Sequence, residues 1–364
     1  MTVGVALIGA GVISDTYLEN LTRFPDVRVL AVSDLDTERA AAQAARFGIG
    51  GGATAVADVL ADPAVEVVVN LTVPAAHVDV GLAALEAGKH VWTEKPLALD
   101  RQSARKLLDS ARERGLRVAG APDTVLGAAF QTVRRAVAAG RIGEPRTAVA
   151  QFLSEGPERW HPAPEFLFRF GGGPLLDMGP YYLSDLVLLF GPVERVTATG
   201  SRARDSRTIG SGPRAGTVFP VTVLTTVTAL IEFAGGGTAA LVLSFDSALP
   251  RAGVEVVGTR GTAVLPDPNR FDGPTRLHLL DHPEPADLPA RGHPASRGTG
   301  VLELARSIRA GVPERASGEL AYHVLDVLLS IEESIAAGQA VLVASTAEIP
   351  PPLPPGWDPY ARTL

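Results

Sequence analysis

At 364 residues, 46% of them hydrophobic, the chain is long enough for two domains, each with its own core. A net charge of −7 leaves no electrostatic footprint for nucleic acid, and no apolar run approaches the length of a membrane span. The absence of cysteine excludes disulfides, thiolate catalysis and Cys-ligated zinc; with no basic-then-apolar leader either, a cytoplasmic protein is expected.

Residues 3–8 are mostly β-forming and lead straight into Gly9-Ala10-Gly11-Val12-Ile13-Ser14, after which the chain reads as helix. A dinucleotide fold begins with such a strand, turn and helix. Gly9 permits the tight turn, and Gly11 lets a pyrophosphate approach the main chain. The helix behind them, opening at Val12 and Ile13, offers N–H groups and a positive dipole end to the phosphates. Ser14 stands where the fingerprint has its third glycine, so the pattern is GxGxxS. Residues 28–34 predict a second strand that ends in a carboxylate, roughly twenty residues beyond the glycine turn. Asp34 there suits both hydroxyls of an adenosine ribose and repels a 2′-phosphate. Leu35 and Asp36 follow it rather than arginine, which favours NAD over NADP. The competing role for Asp34 is to cap the helix predicted over 37–47.

Residues 65–71 form a continuous apolar run suited to a strand buried on both faces. A helix over 75–87 closes at Gly88, and residues 90–92 are a short strand leading to Glu94-Lys95-Pro96. Asp100 is placed to cap a helix that stops at Gly115, and 117–119 is a further strand. This alternation predicts a doubly wound parallel sheet, a nucleotide domain over residues 1–122. Beyond it the pattern changes. After a helix at 130–139, alternating runs appear at 146–152, 193–199, 225–233, 238–245 and 253–257. Successive strands without intervening helices imply a mostly antiparallel sheet in a second domain, residues 123–364. Two segments rich in Gly, Pro, Arg and Asp, 201–216 and 266–298, read as irregular; the first is either a solvated loop or a lid. Helices at 300–311 and 319–337 close the domain, and the proline run at 350–355 is an extended packing strap.

Glu94-Lys95-Pro96 lies at the carboxyl end of a strand, the edge over which such sheets bind ligands. A lysine near a nicotinamide, in a desolvated pocket, has a lowered pKa and can shuttle a proton to a substrate hydroxyl. Taken alone, the three residues read better as a surface Glu–Lys pair before a proline turn.

The wider context carries more. The chain resembles the Gfo/Idh/MocA (glucose–fructose oxidoreductase, inositol dehydrogenase, rhizopine catabolism) family of nicotinamide-dependent oxidoreductases over nearly its whole length. The resemblance rests on the GAGVIS turn, on Asn70-Leu71-Thr72-Val73-Pro74 with His77, and on Glu94-Lys95-Pro96. It rests further on Gly171-Gly172-Gly173-Pro174-Leu175-Leu176-Asp177-Met178-Gly179 and on the order of the two domains. It implies a Rossmann domain followed by an α+β domain with a large open sheet, often used for dimer contacts, and hence a homodimer or homotetramer. It also implies hydride transfer to or from a carbinol carbon of a sugar, cyclitol or related polyol, with Lys95 touching both nicotinamide ribose and substrate.

Many members carry Asp-x-x-x-His in the second domain, with the histidine as acid/base. The matching positions here are Asp177 and Tyr181. A branch similar to dimeric dihydrodiol dehydrogenase places tyrosine in that role. The resemblance therefore implies Tyr181 as acid/base, Lys95 as its electrostatic partner and Asp177 as substrate-orienting acceptor. Tyr181 also reads as an ordinary helix aromatic. Tyr182 competes with it, because a helix begun by Pro180 would leave Asp177 outside.

Thr72 and Pro74 are expected beneath the nicotinamide. His77 is either a cofactor or substrate contact or a capping residue. Asp123, at the domain crossover, is expected at the pocket edge. Trp160-His161 is either a sugar-stacking platform or a surface loop. His323 reads as a core histidine, and no His/Asp/Glu spacing suggests a metal. Two rivals share this framework: NAD-dependent glycoside cleavage through transient sugar oxidation, and a non-catalytic nucleotide-sensing regulator.

Overall fold

Val3–Ile8 (β1) is buried along its whole length, which demands cover on both faces, and the helices that follow supply it. In chain order come α1 (Val12–Leu21), β2 (Val27–Ser33), α2 (Thr37–Arg46), α3 (Val56–Ala61) and β3 (Val67–Asn70). Then follow α4 (His77–Glu86), β4 (His90–Thr93), α5 (Arg101–Glu113) and β5 (Val118–Gly120). The five strands form one parallel sheet in the order β2-β1-β3-β4-β5. The order reverses between β1 and β3. At such a switch point the loops beyond the carboxyl ends diverge and leave a crevice for a ligand. Helix starts follow the capping rule: Asp36 accepts the N–H of Arg39 at α2, and Asp100 that of Ser103 at α5. Asp36, not Asp34, is the cap of α2.

The computed structural model describes residues 1–293 and 296–364; Pro294 and Ala295, within the segment read as irregular, lie outside the described residues. The chain divides into two compact units. The first comprises Met1–Ala128, Gly292–Tyr322 and Pro350–Leu364, and the second Ala129–Arg291 and His323–Ile349. The expected division at residue 122 lies close to the end of the first of these segments, and two later stretches return to the first unit.

The remaining elements are α6 (Ala128–Ala138), β6 (Pro145–Leu153), α7 (Gly173–Phe190), β7 (Val193–Ser201), β8 (Ser206–Thr208) and β9 (Val218–Pro220). After them come β10 (Thr226–Phe233), β11 (Thr238–Ser244), β12 (Arg251–Gly258), β13 (Gly261–Leu265), β14 (Arg276–Leu279) and β15 (His282–Asp287). The chain ends with α8 (Thr299–Ala310), α9 (Gly318–Ala337) and β16 (Val341–Leu342). In the second unit nine strands order as β15-β14-β13-β12-β6-β11-β10-β7-β16, all antiparallel except the central β6–β11 pair. Helix α7 and the later turns of α9 cover one face. Gly179 sits where a Cβ would lie 2.6 Å from Leu328, so the two helices meet at a glycine.

Segment 201–216 is mostly exposed, as a solvated loop would be, but it contains one short strand. β8 and β9 pair into a hairpin, and Arg207 in β8 is buried. Its guanidinium donates to Glu158, to Asp246 and to the carbonyl of Glu155 (3.2 Å), above the ring of Phe168. Part of segment 266–298 is also a hairpin, β14–β15. The sequence hid it because β15 is exposed at all six residues and carries no apolar alternation.

The proline-rich tail packs on the first unit as expected. Arg306 donates to the carbonyls of Asp358 (2.9 Å) and Ala361 (2.6 Å), and Asp26 accepts the N–H groups of Thr363 and Leu364 at 3.0 and 3.1 Å. Among the described residues no helix is long and apolar enough to cross a membrane.

Candidate active site

The glycine turn sits over the switch point of the parallel sheet. Gly9 has φ +106°, and a Cβ there would lie 2.6 Å from the main chain of Leu71, beyond the end of β3. No other residue fits both the turn and the contact. At Gly11, the N-cap of α1, a Cβ would meet nothing within 4 Å, and no side chain caps the helix. Val12, at the first position of that helix, is 90% exposed. The first turn of α1 therefore presents main-chain donors to an open approach, which fits the pyrophosphate of NAD. A groove of about 410 Å³ runs beside it, lined by Ala10, Gly11, Val12, Asp15, Arg39 and Gln43 among others.

Asp34 directly follows β2, beside Ala10 and Arg39 of this groove. One carboxylate oxygen accepts the N–H of Ala10 at 2.6 Å; the other accepts that of Asp36 at 2.8 Å and faces Arg39 at 3.4 Å. It thus locks the glycine turn to the second strand, with Arg39 as a neighbour the sequence left unread because it lies one helical turn inside α2.

Ser14, expected at the cofactor, requires a correction. It is wholly buried; its hydroxyl donates to the carbonyl of Gly11 (2.6 Å) and accepts from Gln43 (3.1 Å). It closes the turn from inside instead of facing a ligand.

Across the switch point, Asn70 fixes the next loop. Its Oδ1 accepts from the Thr72 hydroxyl (2.7 Å), and its amide donates to the carbonyl of His77 (2.9 Å). Thr72 and Pro74 are partly exposed there. His77 is buried, with Nδ1 2.7 Å from the Pro96 carbonyl and Nε2 3.0 Å from that of Thr72. Burial holds its pKa below the usual histidine value. Both ring nitrogens face main chain, so His77 ties two loops together; it neither reaches a ligand nor caps the helix.

The Glu94-Lys95-Pro96 turn is held on several sides. Glu94 donates its N–H to the Asn70 carbonyl (2.9 Å), and the N–H of Lys95 donates to the Glu94 carboxylate (3.1 Å). The other carboxylate oxygen accepts from the hydroxyl of Tyr17 at 2.8 Å. Glu94 and Lys95 remain partly exposed while Pro96 is buried.

Asp123 is likewise corrected. Expected at the pocket edge, its carboxylate is fully buried, accepts the N–H groups of Gly298 (2.8 Å) and Gly300 (3.2 Å), and lies 3.4 Å from Arg297. It anchors the start of α8, and burial raises its pKa.

In the second unit α7 does not begin at Pro180. It starts at Gly173, with Pro174 in its first turn and Pro180 inside. The glycine run explains this: at Gly172 a Cβ would lie 2.6 Å from the Phe166 carbonyl oxygen, so only glycine lets the chain turn there. Asp177 and Tyr181 consequently lie within one helix, four residues apart and on the same face. Asp177 is partly exposed in a stretch otherwise buried from Gly173 to Leu188, and Tyr181 is 7% exposed. Tyr182 points elsewhere. It is fully buried and donates to Asp267 at 3.1 Å; burial, then the Asp267 charge, raises its pKa. It is a core group, which corrects both its rival acid/base role and its place among substrate contacts.

Trp160, by contrast, is 69% exposed and packs edge-on against His161, whose ring meets Phe166 in turn. His323 is a core histidine as expected, accepting the N–H of Val193 at 2.9 Å. Among the described residues no three His, Asp or Glu side chains converge as a metal site would require.

Residues 3–121 match the family described as oxidoreductase, NAD-binding Rossmann fold, and residues 130–264 match the GFO/IDH/MocA C-terminal domain. The chain belongs to the Gfo/Idh/MocA family. This family member is an NAD-binding oxidoreductase of the dehydrogenase/reductase kind. It is 31% identical to the 1,5-anhydro-D-fructose reductase of Ensifer adhaerens over 264 residues, 71% of this chain and 74% of that one. It is 29% identical to the trans-1,2-dihydrobenzene-1,2-diol dehydrogenase of Bos taurus over 310 residues, 83% of this chain and 86% of the relative. In fold it is similar to levoglucosan dehydrogenase in complex with NADH, with TM-score 0.83 and 22% identity, over 95% of this chain and 100% of the other.

Proposed function

We propose that this protein transfers hydride reversibly between NAD(H) and a carbinol carbon of a sugar, cyclitol or related polyol. The observation that carries the reading is the unbroken start of α7. It sets Asp177 and Tyr181 on one face, the arrangement a proton donor and a hydroxyl acceptor need to act on neighbouring oxygens of one substrate. The named relatives act on a keto-sugar and on a vicinal diol, which supports a polyhydroxylated substrate.

When bound, the nicotinamide supplies or accepts the hydride. In this reading the main chain at Gly9, Gly11, Val12 and Ile13 holds the pyrophosphate, and Asp34 turns one oxygen to the adenosine ribose. Thr72, Pro74 and Glu94 border the nicotinamide end. In reduction the Tyr181 hydroxyl gives its proton to the carbinol oxygen; in oxidation its oxygen takes that proton back. The Lys95 ammonium stabilises the alkoxide and makes the phenolate easier to reach. Asp177 accepts from a neighbouring substrate hydroxyl, and Trp160 with His161 presents an aromatic face to the sugar ring.

A homodimer formed through the sheet face away from α7 completes the reading, in a cytoplasmic enzyme. Thr197, Leu230, Ala240 and Val149 stand side by side across four strands there, with Leu230 60% exposed. Sedimentation as a monomer at micromolar concentration would overturn that part.

The test of the activity is kinetic. Lys95→Ala and Tyr181→Phe are each expected to lower kcat on 1,5-anhydro-D-fructose, keto-sugars or diols at least about a hundredfold. NADH affinity should stay within about twofold of wild type, because neither side chain carries the pyrophosphate contact. Wild-type turnover in both variants would refute the assignment.

A further inference from the structure

The β8–β9 hairpin has no part in the activity described so far, yet its residues 207–214 grip the loop that carries Trp160. That loop, residues 155–168, holds only two short 3₁₀ turns, Pro157–Arg159 and Pro164–Phe168. Gly210 donates its N–H to the Glu158 carbonyl at 2.8 Å, and the Ser211 hydroxyl donates to the Trp160 carbonyl at 2.7 Å. Arg207 reaches the Glu155 carbonyl (3.2 Å) and the Glu158 carboxylate, and Arg214 pairs with Glu165. The two chains also run close: a Cβ at Gly210 would lie 3.1 Å from the carbonyl oxygens of Glu158 and Arg159. One at Gly212, where φ is +73°, would lie 2.8 Å from Pro162, so glycine suits both the contact and the backbone. The grip is fixed to the sheet, because Arg207 also donates to Asp246, which accepts from the Thr226 hydroxyl on β10 at 3.2 Å.

We infer that the hairpin is the positioning element of the aromatic row Trp160–His161–Phe166, with Ser211 and Arg214 as its positioning residues. The inference rests on the proposed place of Trp160 and His161 at the sugar ring. An indole stacks on the C–H face of a ring in one orientation, and a side chain that must be ordered on binding loses affinity. Little inside the loop does that ordering. The N–H groups of Trp160 and His161 share one acceptor, the Pro157 carbonyl, at 3.2 and 2.8 Å. The hairpin does it instead, holding the loop at Glu158 and Glu165 on either side and at the Trp160 main chain itself. A purely structural contact would bury the rings against the hairpin. Here the main chain is tied while Trp160 and Phe166 stay 69% and 57% exposed, their ring centres each 5.5 Å from that of His161. His161 is set as well: its Nδ1 accepts the N–H of Ala163 at 3.0 Å, which leaves Nε2 as the ring's donor.

Two variants test this on the full chain. Ser211→Ala removes the bond to the Trp160 carbonyl, and Arg214→Gln removes the pair with Glu165. The probe is 1,5-anhydro-D-fructose, a cyclic ketone, reduced with NADH. Each variant is expected to raise its KM about fivefold, with kcat and the KM for NADH within about twofold of wild type. Trp160→Ala should raise that KM at least as much, and adding Ser211→Ala to it should change nothing further. The loop itself is read by 19F NMR of protein carrying 5-fluorotryptophan at its three tryptophans, Trp92, Trp160 and Trp357. Both variants should displace the Trp160 line and leave the other two in place. A Trp160 line unmoved in either variant overturns the inference. So does a fall in kcat at unchanged KM, or KM effects of Ser211→Ala and Trp160→Ala that add fully. If wild type reduces no cyclic ketone, the proposed function fails, while the 19F lines still decide whether the hairpin positions Trp160.

Discussion

The two units build their parts of the chemistry in opposite ways. In the proposed site the first unit offers main chain: the Gly9–Gly11 turn, the first turn of α1, and the Glu94-Lys95-Pro96 turn held by N–H groups and carbonyls. The second unit offers side chains on one helix and one loop, with buried ionic and phenolic groups such as Arg207 and Tyr182 in its frame. A main-chain site is sensitive to Cβ atoms and φ values. A side-chain site is sensitive to what lies beneath it.

That contrast can be broken most forcefully at Arg207. Arg207→Met leaves Glu158 and Asp246 without their shared cation and is expected to destabilise the protein by about 3–5 kcal/mol, read as a lowered urea midpoint. The hairpin it anchors also meets the Trp160 loop, through the Ser211 hydroxyl on the Trp160 carbonyl at 2.7 Å. Wild-type stability in that variant would show that the second unit does not depend on buried charge.

Next in size come the glycines. Gly9→Ala must place a Cβ 2.6 Å from Leu71 at positive φ, and is expected to lose about 2–4 kcal/mol of stability. Gly11→Ala meets no protein atom, so its melting temperature should match wild type while NADH binding, measured by fluorescence titration, weakens about tenfold. If the two variants lost stability equally, open space at Gly11 would not be the ligand's.

The smallest effect concerns acid. Burial raises the Asp26 pKa, but hydrogen bonds from Thr363, Leu364 and Arg306 outweigh it and leave the value lowered. A lowered carboxylate pKa stabilises the folded state above the unfolded value, about 3.9, and that stabilisation is lost as pH falls through the folded value. The tail strap should therefore stay closed at neutral pH and loosen only below about pH 4, seen as faster proteolysis of residues 350–364 by an acid protease. Asp26→Asn should show the loosened pattern already at pH 7, by about 1–2 kcal/mol.

The glycine turn, Asp34, the lysine turn and the parallel sheet were legible because each is written in contiguous residues with its own period or turn chemistry. Arg39 sits on α2, five residues past Asp34, where only the turn between strand and helix brings it back to that carboxylate. Tyr17 carried no signal, since its partners lie on β4 and just beyond it, far along the chain. The start of α7 stayed open in the sequence because Pro180 looks like a first-turn proline, whereas the crowding around Gly172 near the helix start is a contact with residues 166 and 167. His77, Asp123 and Tyr182 became candidates for the ligand through their place along the chain. Their burial is a property of what packs over them.

By itself, then, the amino-acid order determined the class of most segments and, through the motifs that carry the family resemblance, the cofactor chemistry, because those are written in residues close together in the chain. Tertiary structure alone decided which polar groups face outward and which are used to hold the frame, because burial and hydrogen bonding between distant residues have no local pattern to announce them.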